Sequence, residues 1–249
     1  NENQEDKKCE DVQLLLKDLA YGYDKVLLRD INLSIKKGNK TLIVGTSGCG
    51  KSTLFYVLMR LLYPLKGNIF IQGKNYDDLA EKSIREHFAV AFQEHHIFNL
   101  SIRDNFKMLY EDIIDEEIYI SLENVYLLDF VKQVGLDYIV GNDGNKLSGG
   151  QKHRLQLAIC LAKQKDIILL DEPTAGLDIK TTNNICSQLM EKYQKQTMIV
   201  TSHDISLLRF FDDIIICGEE KIIEQGNIKK LLLREDSYLN KLIRYKNFI

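Results

Sequence analysis

The chain has 249 residues, of which 45% are hydrophobic and 28% are charged, and its formal net charge is −3. This composition is ordinary for a globular protein that buries a large core, and the length fits one α/β domain with subdomains. The small negative charge excludes a global basic field that would attract nucleic acid, so we expect no nucleic-acid partner.

The cysteines and the apolar runs indicate in which cellular compartment the protein works. The five cysteines are scattered without paired spacing, which indicates reduced thiols in a cytosolic compartment rather than a disulfide framework or a zinc site. No apolar run approaches the roughly 18–20 residues that cross a bilayer, and no signal peptide is visible. If the chain is part of a membrane protein, we expect the membrane-spanning segments to lie outside these 249 residues or on another polypeptide.

The first third of the chain alternates predicted strands with a loop and a helix. Residues 1–11 are polar and charged, and we expect a linker or a disordered start there. Alternating apolar residues predict strands at 12–19 and 26–35, and a short apolar strand at 41–44 leads into a glycine-rich loop. A helix follows, with apolar residues at one-face spacing as far as Leu62, and Pro64 closes it.

The rest of the chain adds further strands around a helical stretch. Short strands are predicted at 68–72 and 89–92, with a helix over 76–87 between them, and residues 102–162 are mostly helical in pattern. Three apolar runs, at 167–170, 197–201 and 214–217, predict buried parallel strands. The last of these is expected to pair with residues 221–224, and the charged tail from residue 228 is predicted to be helical.

The glycine-rich loop carries the first chemical motif. Residues 45–53 have the sequence GTSGCGKST, which matches the phosphate-binding pattern G-x-x-x-x-G-K-[S/T]. Glycines let several backbone N–H groups point at one phosphate, and the following helix adds its positive N-terminal end. Lys51 would carry charge to the β- and γ-phosphates, and the Ser52 hydroxyl can ligate Mg²⁺. The alternative, a chance glycine-rich turn, is disfavoured by the strand before the loop and the amphipathic helix after it.

A pair of acids follows the apolar run at 167–170. If this strand lies beside the loop strand, Asp171 reaches the carboxyl end of the sheet, where it can hold Mg²⁺ through water. Glu172 is the better candidate to orient and deprotonate an attacking water. A strand capped by two solvated acids is the alternative, and the presence of the phosphate loop favours the catalytic interpretation.

Residues 147–151 have the sequence LSGGQ and precede a predicted helix. Here the chain resembles the ABC ATPase family, whose signature motif has the same five letters. A helix start of small residues offers N–H groups and a hydroxyl to an anion. In the family this surface faces the γ-phosphate bound by the other subunit of a head-to-tail dimer.

Other elements of the family occur in order along the chain. Gln93 matches the glutamine that senses Mg²⁺ and the membrane domain, and Asp178 lies in a segment, 175–178, that matches the loop running across the dimer interface. His203 follows a predicted strand, as does the histidine that contacts the γ-phosphate. Tyr23 matches the aromatic residue that stacks on adenine. A structural histidine and a strand tyrosine packed on a neighbour are the alternatives for the last two.

The resemblance covers residues 12–233 and implies the fold. We expect an α/β architecture: a P-loop NTPase core with a mostly parallel sheet, an N-terminal antiparallel β-subdomain and an inserted α-helical subdomain. The ABC ATPase domain would occupy 12–249. Its core and β-subdomain are expected at 12–92 and 163–249, and the helical signature subdomain at 93–162.

The resemblance also implies the ligands, partners and site residues. The ligands would be ATP and Mg²⁺, and the partners a transmembrane domain of the same or another chain and a second nucleotide-binding domain, on the cytoplasmic face of a membrane. The expected catalytic residues are Glu172, His203, Lys51 and Gln93, and the expected metal-binding residues are Ser52, Gln93 and Asp171. The expected nucleotide-binding residues are Tyr23, Gly45, Thr46, Ser47, Gly48, Cys49, Gly50, Lys51, Ser52, Thr53, Ser148, Gly149, Gly150, Gln151 and Asp178.

Two segments favour an exporter among ABC proteins. Residues 97–105 (IFNLSIRDN) and 140–144 (VGNDG) resemble exporter sequences, although Asn142 replaces the usual glutamate. Residues 171–178 (DEPTAGLD) are closer to importer ATPases and to soluble members that act on ribosomes or chromosomes, so these remain alternatives. A P-loop kinase or nucleotide switch is disfavoured, because such a protein needs no LSGGQ surface.

Overall fold

A computed structural model describes residues 12–93 and 96–246 of the chain, so the linker expected at 1–11 lies outside the described residues. The chain divides into two compact units. Unit 1 takes in the chain up to Phe88, Asp166–Asp171 and the segment from Lys195 onward, and unit 2 comprises Ala89–Lys165 and Glu172–Gln194. The domain boundaries expected from the sequence stay a prediction.

The strands of the described residues are named in chain order. They are β1 Val12–Gly22, β2 Val26–Lys36, β3 Lys40–Gly45, β4 Lys66–Ile71, β5 Lys74–Asn75, β6 Phe88–Ala91, β7 Ile167–Asp171, β8 Thr197–Ser202, β9 Asp213–Cys217 and β10 Ile222–Asn227. The chain passes from unit 1 to unit 2 within β6. Each strand predicted from the sequence is present, with ends that differ by a few residues.

The helices of the same residues are also named in chain order. They are α1 Lys51–Leu58, α2 Glu81–Glu86, α3 Ile102–Lys107, α4 Asp115–Glu123, α5 Leu128–Val134, α6 Gly149–Leu161, α7 Ile179–Lys192, α8 Ile228–Leu232 and α9 Tyr238–Lys246. Short 3₁₀ turns occupy Tyr76–Asp78, Asn142–Gly144 and Ile205–Phe210. Within the described residues, no helix combines the length and apolar character that crossing a membrane requires.

An antiparallel sheet forms the first layer of unit 1, in the order β2-β1-β4-β5. Its central strand β1 pairs antiparallel with both β2 and β4. Alternation along β2 buries Leu28, Ile31, Leu33 and Ile35, whereas most of the residues between them are exposed. One face of the sheet therefore packs into the core, as period-two patterning predicts.

A mostly parallel sheet forms the second layer of unit 1, in the order β10-β9-β3-β8-β7, with β10 antiparallel to β9. Every residue of β7 and β8 is buried, which explains why these strands are continuous apolar runs in the sequence. The parallel register sets Gly45 beside Cys217 and Asp171 beside Thr201. The carboxyl ends of β3, β7, β8 and β9 thus meet along one edge, where ligands bind in open α/β sheets.

Unit 2 is mainly helical and contains α3 to α7. Its core is built from apolar side chains of several helices, including Ile102, Phe106, Ile118, Leu122 and Leu155, none of which exposes measurable surface. The helix α4 packs against α6, which begins at the LSGGQ segment. This packing holds α6 against the core of unit 2.

Two helices differ from the sequence prediction. The helix expected to continue to Pro64 ends at Leu58, because Arg60 has a φ of 55° that a right-handed helix does not accommodate. The helix expected over 76–87 is a 3₁₀ turn followed by α2, since Ala80 has an extended backbone (φ −67°, ψ 140°) between them.

Candidate functional site

The glycine-rich loop of unit 1 joins the end of β3 to the start of α1. Its glycines Gly48 and Gly50 have φ values of 79° and 98°, a left-handed conformation that costs a glycine little. Lys51 is buried, and its ammonium donates hydrogen bonds to the carbonyls of Gly45 (3.0 Å) and Thr46 (3.1 Å). The lysine side chain therefore folds back along the loop that it follows.

The remaining loop residues differ in exposure. Thr46, Ser47 and Gly48 are exposed at the tip of the loop, whereas Cys49 and Gly50 are buried beneath it. Ser52 and Thr53, in the first turn of α1, are half-buried and buried respectively. The exposed tip leaves backbone groups open to a ligand, and the buried part attaches the loop to the sheet.

Tyr21 anchors the loop from β1. Its side chain is fully buried, and its hydroxyl donates a hydrogen bond to the Gly50 carbonyl at 3.0 Å. Burial raises the pKa of Tyr21 well above its ordinary value, so the hydroxyl stays protonated and remains a donor. Sequence reasoning did not single out this residue, because strand tyrosines are usually packing residues.

The acid at the end of β7 is held by a neighbouring strand. Asp171 is 3% exposed, and one carboxylate oxygen accepts a hydrogen bond of 2.5 Å from the Thr201 hydroxyl on β8. Because the two residues are register partners, the parallel sheet itself brings them together. The sequence analysis did not identify Thr201 as a site residue, although a hydroxyl at the end of an apolar strand could have indicated one.

Two predicted ligand-contacting residues of unit 1 are exposed. His203 lies directly after β8, and the ring of Tyr23 is 61% exposed in the turn between β1 and β2. The exposed Tyr23 ring does not pack in the core, and its role in stacking on adenine stays a prediction. An exposed aromatic face is available for stacking on a planar ligand.

The LSGGQ segment of unit 2 forms the start of α6. The Ser148 hydroxyl accepts a hydrogen bond from the Gln151 N–H at 3.2 Å, and the Gln151 side chain accepts one from the Ser148 N–H at 2.9 Å. This reciprocal pair is a capping box, which fixes the direction of the first helical turn. A Cβ built on Gly149 would meet nothing within 4 Å, so the backbone there is open to an approaching group.

Glu172 has a constrained backbone. Its φ is 51°, in the left-handed region, and its side chain is almost entirely buried. The following Pro173 disfavours the right-handed helical conformation for Glu172. Non-glycine residues in this conformation are uncommon and cluster at functional sites, so the constraint supports a positioned role for the carboxylate.

Within unit 2, the segment after Glu172 is hydrogen-bonded to α6, the helix that begins at the LSGGQ segment. The His153 ring nitrogen Nε2, on α6, donates to the Pro173 carbonyl at 2.5 Å. Burial lowers the pKa of His153, which favours the neutral ring that makes this bond. His153 is a further residue that sequence reasoning missed, because it follows the recognised motif by two positions.

A cavity in unit 2 brings several predicted residues together. It has a volume of about 440 Å³. Its lining includes Gln93, the signature glycines Gly149 and Gly150, and Gly176 of the 175–178 loop. Asp178 instead caps α7, where its carboxylate accepts hydrogen bonds from the Thr181 N–H (3.0 Å) and hydroxyl (2.6 Å), which lower the pKa of Asp178. Gln93 and the signature glycines therefore share one surface.

Residues 28–175 match the family model described as ABC transporter. The chain belongs to the ABC transporter family. It carries the ATPase domain of that family, which binds ATP, and the sequence-based identification is confirmed.

Relatives and a solved structure agree with this assignment. The chain is 34% identical over 230 residues to the glutathione/L-cysteine transport system ATP-binding/permease protein CydC of Escherichia coli, which covers 91% of this chain and 40% of that protein. It is 32% identical over 232 residues to the ATP-dependent lipid A-core flippase of Haemophilus influenzae, again 91% of this chain and 40% of the relative. The chain thus spans about two fifths of the length of these ABC proteins.

The structure resembles that of a bacterial Atm1-family ABC exporter with ATP bound, with a TM-score of 0.87 and 29% sequence identity. The match covers 94% of this chain and 42% of the exporter chain. The expected fold class, an α/β fold with a mostly parallel sheet and an antiparallel sheet, is confirmed by this likeness.

Proposed function

We propose that this chain is the nucleotide-binding domain of an ABC exporter, in which ATP hydrolysis powers substrate export across a membrane. The observation that carries the proposal is similarity, over 91% of the chain, to ATP-binding/permease proteins, together with its likeness to an ATP-bound exporter. The exporter-like segments at 97–105 and 140–144 add support. A transmembrane domain of the same or another chain would be the partner, with this domain on the cytoplasmic face.

The glycine-rich loop of residues 45–53, the P-loop, would bind the phosphates of ATP. The exposed tip at Thr46–Gly48 offers backbone N–H groups. Lys51 supplies a positive charge, and in this structure its ammonium donates hydrogen bonds to two loop carbonyls. Gly45, Cys49, Gly50 and Thr53 would shape the loop around those groups. Tyr23 would stack on the adenine ring, because its aromatic face is exposed.

The donor atoms near the P-loop fit Mg²⁺. Within residues 12–93 and 96–246, no group of three or more His, Cys, Asp or Glu side chains could hold a metal ion. Ser52 and Asp171 offer one hydroxyl and one carboxylate, and Mg²⁺ usually takes one or two carboxylates and completes its shell with water and substrate phosphates. Gln93 would be a further ligand. When bound, Mg²⁺ would neutralise phosphate charge.

Glu172 would act on the attacking water. Its carboxylate would accept a proton from the water as the water attacks the γ-phosphorus, and its constrained backbone would hold the oxygen atoms in one direction. His203 would contact the γ-phosphate from the end of β8. Because Glu172 acts mainly on the water, it should contribute chiefly to the transition state rather than to ATP affinity.

A second nucleotide-binding domain would complete the site. The signature residues Ser148–Gln151 would face the γ-phosphate bound by the partner domain in a head-to-tail dimer, with Asp178 near the interface. The open backbone at Gly149 and the fixed helix start support this role, since they leave N–H groups accessible to an anion.

Substitution of Glu172 tests the hydrolytic mechanism. Glu172→Gln keeps the size and hydrogen bonding of the side chain but removes the base, so ATP affinity should change only a few-fold while turnover falls by roughly 10²–10⁴. Lys51→Ala should lose binding and turnover together. The matched control is Glu191→Gln, an exposed acid on α7, which should leave both unchanged. Nucleotide titration and phosphate release measure the two quantities.

The ATP-bound dimer gives a second readout. Because hydrolysis reopens the dimer, Glu172→Gln should accumulate an ATP-bound dimer on size-exclusion chromatography. Near-normal hydrolysis by Glu172→Gln would show that Glu172 is not the base, and His203 would then be the next residue to test.

An importer ATPase subunit, or a soluble ABC ATPase, is the second candidate, because residues 171–178 are closer to those members. The coding sequence upstream of Asn1 separates these possibilities. Six apolar spans in the same reading frame would support the exporter, and a second ATPase cassette there would support the soluble protein.

A further inference from the structure

Two cysteines that are distant in sequence meet beneath the P-loop. Cys49 lies in the loop and Cys217 ends β9, and both are buried, with 7% and 4% exposure. Cys217 is the register partner of Gly45, the residue at which the loop begins. A Cβ placed on Gly45 would lie 2.8 Å from the Cys49 sulfur and 3.0 Å from the Cys217 Cβ. The missing side chain of Gly45 is thus what leaves room for the two thiols to approach each other.

The two sulfur atoms already interact. The pKa of Cys49 is lowered to about 6, chiefly by a hydrogen bond from the Cys217 thiol and also by the nearby Lys51 charge, which together outweigh the opposing effect of burial. The same hydrogen bond, together with burial, raises the pKa of Cys217. Cys49 is therefore the nucleophilic sulfur of the pair, and Cys217 is the thiol that lies against it.

We propose that Cys49 and Cys217 form a reversible disulfide under the P-loop, and that this disulfide prevents the loop from binding the phosphates of ATP. The pair is a modification site, and the oxidant is a small peroxide, which fits the slight exposure of Cys49. The proposal rests on ATP binding by the P-loop and concerns its control.

The reaction balances with one peroxide molecule. The Cys49 thiolate attacks one peroxide oxygen, the O–O bond breaks, and a sulfenic acid forms while hydroxide leaves and takes up a proton. The Cys217 sulfur then attacks the Cys49 sulfur, the S–O bond breaks, and water leaves with the Cys217 proton. The two sulfurs lose two electrons in total, and the peroxide is reduced to two waters. Oxidation of Cys49 also removes the thiolate whose presence raises the pKa of Cys217.

Disulfide geometry explains the effect on the loop. A disulfide holds its sulfurs about 2.0 Å apart, closer than a hydrogen-bonded pair of thiols. Cys217 belongs to a strand with neighbours on both sides, whereas Cys49 lies between Gly48 and Gly50, whose backbones turn readily. The loop rather than the strand should therefore move. Its N–H groups would then no longer converge on one phosphate.

Peroxide treatment of the 249-residue chain tests the proposal. The affinity for a fluorescent ATP analogue is measured before oxidation, after oxidation by hydrogen peroxide, and after reduction by dithiothreitol. We expect oxidation to weaken binding by roughly tenfold or more, as for the loss of one charge-assisted hydrogen bond to a phosphate, and reduction to restore it. Trypsin should release residues 41–51 and 210–221 as one disulfide-linked pair, because each peptide contains one cysteine.

Variants of the strand cysteine supply the matched comparison. Cys217→Ser and Cys217→Val should bind the analogue like the reduced wild type, and mild peroxide followed by quenching should leave their affinity unchanged or change it far less. Cys160→Ala is the control, since burial raises the pKa of Cys160 to about 12 and makes it unreactive; this variant should keep the full peroxide response.

Three results would overturn the proposal. The first is loss of binding without the linked peptide pair, and the second is an equal loss in the Cys217 variants, which would mean that oxidation of Cys49 alone is responsible. The third is a linked peptide pair with unchanged affinity, which would show that the disulfide does not move the loop. Failure of the reduced wild type to bind the analogue would instead count against the proposed function.

Discussion

Replacing Thr201 with valine tests how Asp171 is held at the edge of the sheet. The substitution keeps the shape of the side chain and removes its hydroxyl, which now donates to the Asp171 carboxylate at 2.5 Å. Both residues are buried, so that oxygen would lose this donor without gaining water in its place. Loss of a hydrogen bond to a charged group costs about 1.5–3 kcal/mol. For a chain of this size that corresponds to a fall of roughly 3–12 °C in the unfolding midpoint.

Thr197→Val on the same strand is the matched control. Thr197 is also fully buried, but it lies at the other end of β8, and its hydroxyl oxygen accepts a hydrogen bond from the Gly38 N–H at 3.0 Å. Loss of this neutral bond should cost less, about 0.5–1.5 kcal/mol. Thr201→Val should also raise the Mg²⁺ concentration needed for half-maximal ATP hydrolysis, because the Thr201 hydroxyl bonds to the carboxylate of Asp171, the proposed metal ligand. Thr197→Val should not.

Thermal unfolding followed by circular dichroism and a Mg²⁺ titration of ATP hydrolysis measure the two effects. Equal midpoint shifts in both variants, with the same Mg²⁺ requirement as the wild type, would refute the reasoning. Asp171 would then be positioned by the strand backbone and not by the Thr201 hydroxyl.

Two further substitutions test the exposed ring of Tyr23 and the ring of His153 on α6. Tyr23→Ala should weaken ATP binding while Tyr23→Phe stays nearly neutral, because stacking needs only the aromatic face; equal losses in nucleotide titrations would assign the effect to the hydroxyl. Burial lowers the pKa of His153 below that of the unfolded chain, so the stability that comes from its neutral form is present at neutral pH and is lost as the pH falls below about 6.5. Acidification should therefore lower the unfolding midpoint of the wild type more than that of His153→Gln, and equal pH dependence in the two proteins would contradict this.

The main strands and the P-loop could be predicted from the sequence because their signals are local. The runs at β7 and β8 are continuous and apolar, as strands buried on both faces must be, and all of their residues are buried. The P-loop has fixed residue types at fixed spacing, and it lies between β3 and α1 as expected. The family could be identified from the LSGGQ letters for the same reason.

The contacts that hold the loop could not be predicted, because they depend on register between segments that are far apart in sequence. The Tyr21 hydroxyl reaches Gly50 and Cys217 lies beside Gly45 only when the strands are placed in three dimensions. The end of α1 was also hidden, since the left-handed backbone of Arg60 leaves no signal in an apolar pattern that continues to Leu62. Thr201 ends the strand predicted at 197–201, but its pairing with Asp171 depends on the register of two strands that are far apart in sequence.

The three contacts at the carboxyl edge of unit 1 have a common physical role. Phosphate binding needs N–H groups that converge before the ligand arrives, yet the glycines that permit this geometry also make the loop flexible. The hydrogen bond from Tyr21 to Gly50, that from Thr201 to Asp171, and the contact of Cys217 with Cys49 attach flexible or charged groups to rigid strands. Tyrosine and threonine hydroxyls can only make or lose a hydrogen bond, whereas the thiol pair can become covalent. Of these three attachments, the cysteine pair is therefore the one through which oxidation can change the shape of the loop.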